Sequence, residues 1–240
     1  MMETSTGMTD PPTLLLIEDD DELASLLLDY FRREGFEVEW AASGDDGIDQ
    51  VLRASPDLVV LDLMLPGRSG LEVCREVRDQ YRGAILILTA SQRDADHIAG
   101  LELGADDFVI KPVDPRVLLA RIRTQLSRLR RNEPATVEES GTLQVGVLQL
   151  ETTLRVARVG RVSVPLTAME FDILTLLVRN TGSVVHRADL YRDILDIEYD
   201  GLDRGMDVHV SRIRRKLQQC GFDRSGLRSV RGAGYLLVAP

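Results

Sequence analysis

Residues 58–67, Leu58-Val59-Val60-Leu61-Asp62-Leu63-Met64-Leu65-Pro66-Gly67, form an apolar run of strand length that holds a single carboxylate and closes on a Pro-Gly breaker. A continuous Val/Leu run bounded by turn residues reads as a strand covered on both faces, since a half-exposed strand would alternate apolar and polar positions. Such a strand needs layers above and below it, which constrains the whole first half of the chain. Asp62 then stands where the strand emerges, at the edge where open α/β sheets bind their ligands. Taken alone, Asp62 reads more simply as a cap of the following loop. Its company along the chain decides between the two.

That company is rhythmic. Strand-like runs at 13–17, 37–42, 58–61, 84–89 and 107–110 alternate with amphipathic segments near 21–34, 46–54, 70–79, 94–103 and 115–131. Five strand-then-helix units predict a parallel sheet with helices on both faces, because parallel strands need crossover connections. A polar stretch without periodicity, 132–141, reads as a linker between a domain at 12–131 and a second at 142–240. In the second, short strands at 143–150, 154–159 and 162–165 precede helical patterns at 168–180, 187–196 and 203–220. A Gly232-Ala233-Gly234 turn then joins 227–230 to 235–238 as a hairpin. Strands, three helices and a hairpin are the order of an α+β winged helix-turn-helix.

Charge separates the halves. Residues 1–126 carry 25 acidic against 12 basic side chains, whereas 140–240 carry 11 against 14, and 204–231 hold 8 basic to 2 acidic. An acidic domain and a locally basic one imply different partners. No run of 18 apolar residues appears, and Met1–Pro12 has no basic region followed by an apolar stretch. A cytoplasmic protein without membrane insertion is therefore expected. Cys74 and Cys220 lack metal-ligand spacing and read as reduced thiols.

The ends of the predicted parallel strands carry the chemistry. The first ends in Glu18-Asp19-Asp20-Asp21, where Asp20 and Asp21 can start the next helix. In a parallel sheet the end of the first strand lies beside that of the third, which brings Glu18 and Asp19 towards Asp62. Three converging carboxylates fit a hard divalent cation, best Mg²⁺. Thr89 closes the fourth strand ahead of Ala90, and Lys111 follows the fifth; only Lys111 and Lys216 of the 29 basic residues are lysine. Cation, ammonium and hydroxyl together suit the oxygens of a phosphoryl group, with Asp62 as the carboxylate that attacks phosphorus.

The motifs Ile17-Glu18-Asp19-Asp20, Leu61-Asp62-Leu63-Met64-Leu65-Pro66-Gly67, Leu88-Thr89-Ala90 and Gly104-Ala105-Asp106-Asp107-Phe108-Val109-Ile110-Lys111-Pro112 resemble, in order and spacing, the receiver of two-component response regulators. The resemblance implies a flavodoxin-like, doubly wound sheet of order 2-1-3-4-5. It also implies phosphorylation of Asp62 by a histidine kinase, with Glu18, Asp19, Asp62 and the Met64 carbonyl around Mg²⁺. Thr89, Ala90 and Lys111 would face the phosphate, and Thr89 with Phe108 would form the switch. Most close relatives carry tyrosine where this chain has Phe108, so the inward rotamer would lack a hydroxyl. The family's active dimer pairs residues implied here to be Asp107 with Arg121 and Asp106 with Arg128, across subunits. A third, Lys–Glu pair is absent, its places taken by His97 and Val117, so Ile98, Leu101 and Leu118 would supply apolar affinity.

In the second half, Met206, Val210, Ile213 and Leu217 share one helical face, towards a core. Arg204, Val208, Ser211, Arg212 and Arg215 lie opposite, with His209, Arg214 and Lys216 beside them. Such a basic face suits the major groove, and Arg228 and Arg231 on the hairpin suit phosphates and the minor groove. Leu166-Thr167-Ala168-Met169-Glu170-Phe171, 206–217 and Val230-Arg231-Gly232-Ala233-Gly234-Tyr235-Leu236 resemble the winged-helix effector of the OmpR/PhoB subfamily, and Tyr199–Arg204 is most similar to its RstA-type branch. Implied partners are promoter DNA, a sensor kinase, RNA polymerase and a second copy of the chain. Two other readings of the aspartate domain fit less well. Haloacid-dehalogenase-type phosphatases need a second Asp where Met64 stands, so no general acid is supplied and only slow self-dephosphorylation is expected. A flavodoxin-like cofactor binder needs a Gly- and hydroxyl-rich loop where the carboxylates lie.

Overall fold

The computed structural model describes residues 11–91, 94–130, 141–199, 201 and 205–239. Strands β1 (Thr13–Ile17), β2 (Glu37–Ala41), β3 (Leu58–Asp62), β4 (Ala84–Thr89) and β5 (Asp107–Ile110) form a parallel sheet of order β2-β1-β3-β4-β5. Helices α1 (Asp21–Arg33), α2 (Gly44–Ala54), α3 (Gly70–Arg78), α4 (Asp94–Leu103) and α5 (Pro115–Arg130) make the crossovers. All five residues of β3 are buried, as its unbroken apolar run requires. The sheet divides the core by side-chain alternation: Leu14, Leu16, Leu58 and Val60 pack with α1 and α5, while Leu15, Ile17, Val59 and Leu61 pack with α2 and α3.

Local signals set the helix starts. The Asp20 side chain accepts from the backbone N–H of Glu22 and Leu23, both at 3.0 Å, so one member of the acidic run caps α1. Ser69 and Glu72 form a reciprocal capping box at α3. Most of the expected linker, 132–141, lies outside the described residues.

The second domain begins with an antiparallel sheet of β6 (Thr142–Val145), β7 (Leu148–Glu151), β8 (Val156–Val159) and β9 (Val162–Val164). Next come α6 (Ala168–Arg179), β10 (Val184–His186), α7 (Arg187–Leu190) with a π-helical turn Tyr191–Leu195, and α8 (Gly205–Gln219). The chain closes with β11 (Leu227–Val230) and β12 (Gly234–Leu237). The expected terminal hairpin forms from β11 and β12, and β10 joins it as a third strand in the order β10-β12-β11. A strand of three residues carries too little alternation to read from sequence. A side chain on Gly234 would place its Cβ 1.9 Å from the Val185 carbonyl oxygen, so β12 can approach β10 only with glycine there.

Glu170, at 0% exposure, organises this domain's centre. Its Oε2 accepts from Lys216 Nζ at 2.6 Å and from the Thr167 N–H at 2.8 Å, and Arg212 Nη2 lies 3.0 Å from Oε1. Burial would raise its pKa, but Arg212 and Lys216 outweigh that and hold it below the ordinary value. The contribution is therefore complete above the usual glutamate range and lost as pH falls through the lowered value. Glu170→Ala leaves buried Arg212 and half-buried Lys216 without their carboxylate and should cost about 3 kcal/mol at neutral pH. Urea unfolding followed by near-UV tyrosine dichroism measures that loss, which should shrink in acid.

Candidate functional site

The carboxyl ends of β1, β3, β4 and β5 meet along one sheet edge. Ile17 stands in register with Leu61, so Glu18 and Asp62 emerge side by side. Carboxylate oxygens of Glu18, Asp19 and Asp62 lie within 4.8 Å of one another, making one acidic cluster that could hold a metal ion. Asp19 is exposed, whereas Glu18 and Asp62 are buried. Two buried carboxylates repel unless a cation intervenes. Lys111, delivered by the end of β5, donates from Nζ to Glu18 Oε2 at 2.6 Å and to Asp62 Oδ2 at 2.5 Å. Burial together with repulsion from Asp62 holds the Glu18 pKa above its ordinary value, against the hydrogen bond from Lys111. Burial would lower Lys111, yet its hydrogen bonds to Asp62 and Glu18 hold it raised.

Two residues that sequence reasoning missed support this cluster. Trp40 Nε1 donates to the Glu18 carbonyl at 2.8 Å and pins the end of β1. Its signal was that it is the chain's single tryptophan, on a strand with exposed positions. Gly70 is the other: a Cβ there would lie 2.0 Å from the Asp62 carbonyl oxygen, so only glycine lets α3 start so close to β3. The second oxygen of Asp62, Oδ1, accepts from the Met64 N–H at 3.0 Å, while the Met64 side chain is exposed.

Beside the cluster, buried Thr89 accepts at Oγ1 from the Ser91 N–H at 3.0 Å and at its carbonyl from the Lys111 N–H at 2.8 Å. Ala90 is exposed. Half-buried Phe108 stacks on His97, ring centroids 4.3 Å apart and 19° between planes. His97 Nε2 lies 2.7 Å from the Ser91 carbonyl oxygen. His97, expected on a dimer surface, is instead a buried link between the loop after β4 and Phe108.

Most of the other residues expected at a dimer face are paired or packed within the chain. Arg121 pairs with Asp107 at 2.9 Å within the chain. Asp106 is buried and engages Arg78 at 3.4 Å and the Ile85 N–H at 3.0 Å. The Arg128 side chain lies outside the described residues. Leu101 and Leu118 are core residues, Ile98 is partly buried, and Val117 is exposed. The sequence placed Leu101 and Leu118 on a surface because a helix flanking an edge strand shows its apolar residues without saying which the sheet covers.

The basic face of α8 is likewise only partly open. Ser211 and Arg215 are exposed, as are Arg228 and Arg231 in the terminal sheet. Arg214 donates to the Leu227 carbonyl and Ser229 Oγ, both at 3.0 Å, and Lys216 is engaged by Glu170. Arg204 lies outside the described residues. Val208, His209 and Arg212 are buried, which corrects their expected exposure. Helical periodicity separates one face from its opposite, but the cover on the opposite face here comes from the first domain, at a sequence distance no periodicity spans.

Removing Lys111 exposes the electrostatic cost of the cluster. Lys111→Met should lower stability by about 3 kcal/mol near neutral pH, because two buried carboxylates lose their cation. A raised carboxyl pKa stabilises the fold below the ordinary glutamate range and ceases to as pH rises through the raised value. The deficit should therefore shrink as pH falls from about 8 to about 5. Urea unfolding read by Trp40 fluorescence across that range checks it.

Comparison with known proteins agrees with this geometry. Residues 14–123 match the family described as response regulator receiver domain, and residues 160–237 match that described as transcriptional regulatory protein, C terminal. The transcriptional regulatory protein RstA of Escherichia coli (strain K12) is 37% identical over 235 residues, covering 94% of this chain and 97% of its own length. The transcriptional regulatory protein AfsQ1 of Streptomyces coelicolor is 40% identical over 229 residues, covering 95% and 99%. A solved mutant of RitR shares the fold at a TM-score of 0.72 and 22% identity, over 95% of this chain and 100% of its own. Sheet order, acidic edge and winged second domain thus converge with these relatives: the chain belongs to the DNA-binding, transcription-regulating OmpR/PhoB-type two-component response regulators.

Proposed function

We propose that this response regulator accepts a phosphoryl group on Asp62 from a sensor histidine kinase, and that the modified receiver dimerises and binds repeated promoter sites. The observation that carries the reading is the bridging of Glu18 and Asp62 by Lys111 at the sheet edge. An Asp62 oxygen forms the new bond to phosphorus as the phosphorus–nitrogen bond of the donor histidine breaks. Lys111 Nζ, already against Asp62, meets the added negative charge on a phosphoryl oxygen, and the Thr89 hydroxyl turns from Ser91 to donate to another.

The donor set suits a hard cation: Glu18, Asp19 and Asp62 carboxylates with the Met64 carbonyl would hold one Mg²⁺. Bound there, it neutralises charge that develops on the phosphoryl oxygens. With Met64 at the place where a second acid would assist turnover, the chain acts as a phosphoacceptor with slow self-dephosphorylation, not as a phosphatase.

Movement of Thr89 frees the Ser91 loop, and through His97 the change reaches Phe108, which shifts inward. Dimerisation then exchanges the Asp107–Arg121 pair between subunits and forms an Asp106–Arg128 pair across them. Two linked effectors gain a high effective concentration on a repeated site. There Arg204, Ser211, Arg212, Arg214, Arg215, Lys216, Arg228 and Arg231 contact DNA together with Val208 and His209, and RNA polymerase is the further partner. Among the described residues no helix is long and apolar enough to cross a membrane; the cytoplasm, where promoter DNA lies, is the proposed location.

Affinity for promoter fragments selected from genomic DNA should rise about tenfold or more with acetyl phosphate and Mg²⁺. A gain that persists in Asp62→Ala would contradict the mechanism. Mg²⁺ binding should quench or enhance Trp40 fluorescence, since the indole is bonded to the Glu18 backbone. Because the Glu18 pKa is raised, protons should compete with Mg²⁺ starting above the ordinary glutamate value, and Glu18→Gln should weaken binding and remove that early competition. A fluorescence titration with Mg²⁺ at a series of pH values measures both.

A further inference from the structure

Glu18 is tied to β2 through both of its backbone groups. Its N–H donates to the Ala41 carbonyl at 3.1 Å, and its carbonyl accepts from Trp40 Nε1 at 2.8 Å. Because β2 ends at Ala41, the indole stands in for the next donor of the parallel ladder. Trp40 is 36% exposed on this edge strand, and Gln50 Nε2 donates to its carbonyl at 3.4 Å. A large aromatic is thus kept at an open sheet edge for its N–H and not as core.

The carbonyl that Trp40 holds belongs to the Glu18–Asp19 peptide. The atoms of that unit are coplanar, so fixing the carbonyl also fixes the direction in which the chain enters Asp19. The residues around Asp19 are held by other bonds. The Glu18 carboxylate meets Lys111 and the Asp20 N–H, the Asp62 carboxylate meets Lys111 and the Met64 N–H, and Asp20 caps α1. Asp19 is the exposed member of the acidic cluster, and the indole bond sets the peptide that leads into it.

Ligand direction matters unequally to different cations. Mg²⁺ demands near-octahedral placement of its oxygens, whereas Ca²⁺ accepts a variable number of them in flexible geometry. Hydrogen bonds made outside the ligand set orient it, and their loss lowers metal affinity without changing the charge of the ligands.

We propose that the Trp40 indole N–H, through the Glu18–Asp19 peptide, aims the Asp19 carboxylate and so gives the acidic cluster its preference for Mg²⁺ over Ca²⁺. The inference rests on the reading of Glu18, Asp19 and Asp62 as an Mg²⁺ site. Trp40 acts through Asp19 and is a positioning residue.

The full chain contains one tryptophan, so growth of a tryptophan auxotroph on benzothienylalanine replaces the indole N–H by sulfur at that place alone and keeps the bicyclic ring. Mg²⁺ and Ca²⁺ are titrated separately into the isotope-labelled parent and the sulfur isostere, with backbone amide NMR shifts around Asp19 and Asp62 as the readout. The Mg²⁺ dissociation constant should rise about tenfold in the isostere. That for Ca²⁺ should rise less than about threefold, because its looser geometry tolerates a misdirected ligand. Trp40→Phe, which also lacks the donor, should contract the Mg²⁺-to-Ca²⁺ ratio in the same direction. In the metal-free chains the Asp19 amide nitrogen should shift between parent and isostere, since its peptide loses the bond. An unmoved Asp19 amide, an unchanged Mg²⁺ affinity, or equal weakening of both cations would each overturn the inference while leaving the Mg²⁺ site in place. A parent chain that titrates with neither cation would overturn the site reading and the inference together.

Discussion

Glu18 and Asp62 are buried at one sheet edge and can coexist there only with a cation between them, so the geometry of the receiver is organised around where Lys111 arrives. Lys111 reaches the pair because β5 lies two strands from β3 in the order β2-β1-β3-β4-β5, and its N–H is held by the Thr89 carbonyl. The same arrangement places the lysine ammonium directly against Asp62. Burial, together with repulsion from Asp62, holds the Glu18 pKa above its ordinary value even with Lys111 bonded to the pair. Glu18, Asp19 and Asp62 together could hold a metal ion.

From this edge the structure runs outward through short polar links. Thr89 holds the Ser91 N–H, the Ser91 carbonyl lies against His97, and His97 stacks on Phe108. Each contact is modest, but they are contiguous, and all are made by side chains or loop atoms with little freedom to move independently. The Phe108 ring makes no hydrogen bond and rests on the imidazole beside it. A contiguous set of contacts from the acidic cluster to β5 is thereby present in the fold.

The second organising charge is Glu170, which draws Lys216 and Arg212 inward from α8. Two of the basic residues that colour this helix in the sequence are thus committed to the effector core rather than free on its surface. Arg212 is committed twice, to Glu170 and to the receiver's backbone carbonyls. Arginine rather than lysine at this position follows from geometry, since only a planar fork serves acceptors on two sides. Stability of the effector and placement of α8 are consequently linked through one side chain.

Much of this was legible from residue order. The unbroken apolar run at 58–61 determined a strand covered on both faces, the strand–helix rhythm determined a parallel sheet, and the strand ends named Glu18, Asp19, Asp62, Thr89 and Lys111. These features repeat within a few residues, and hydrophobic periodicity and turn chemistry report such short-range regularities directly. Tertiary structure alone decided the rest. Trp40 reaches Glu18 across 22 positions, and Val184–His186 becomes a strand only because β12 lies beside it. Leu101 and Leu118 are core while Val117 is exposed. The covered half of α8 is the clearest case. Spacing determined that Met206, Val210, Ile213 and Leu217 face inward, but Arg212 meets Leu101 at a separation of 111 residues. A repeat of 3.6 residues fixes which side chains share a face, whereas the partner of that face depends on how two folded domains pack.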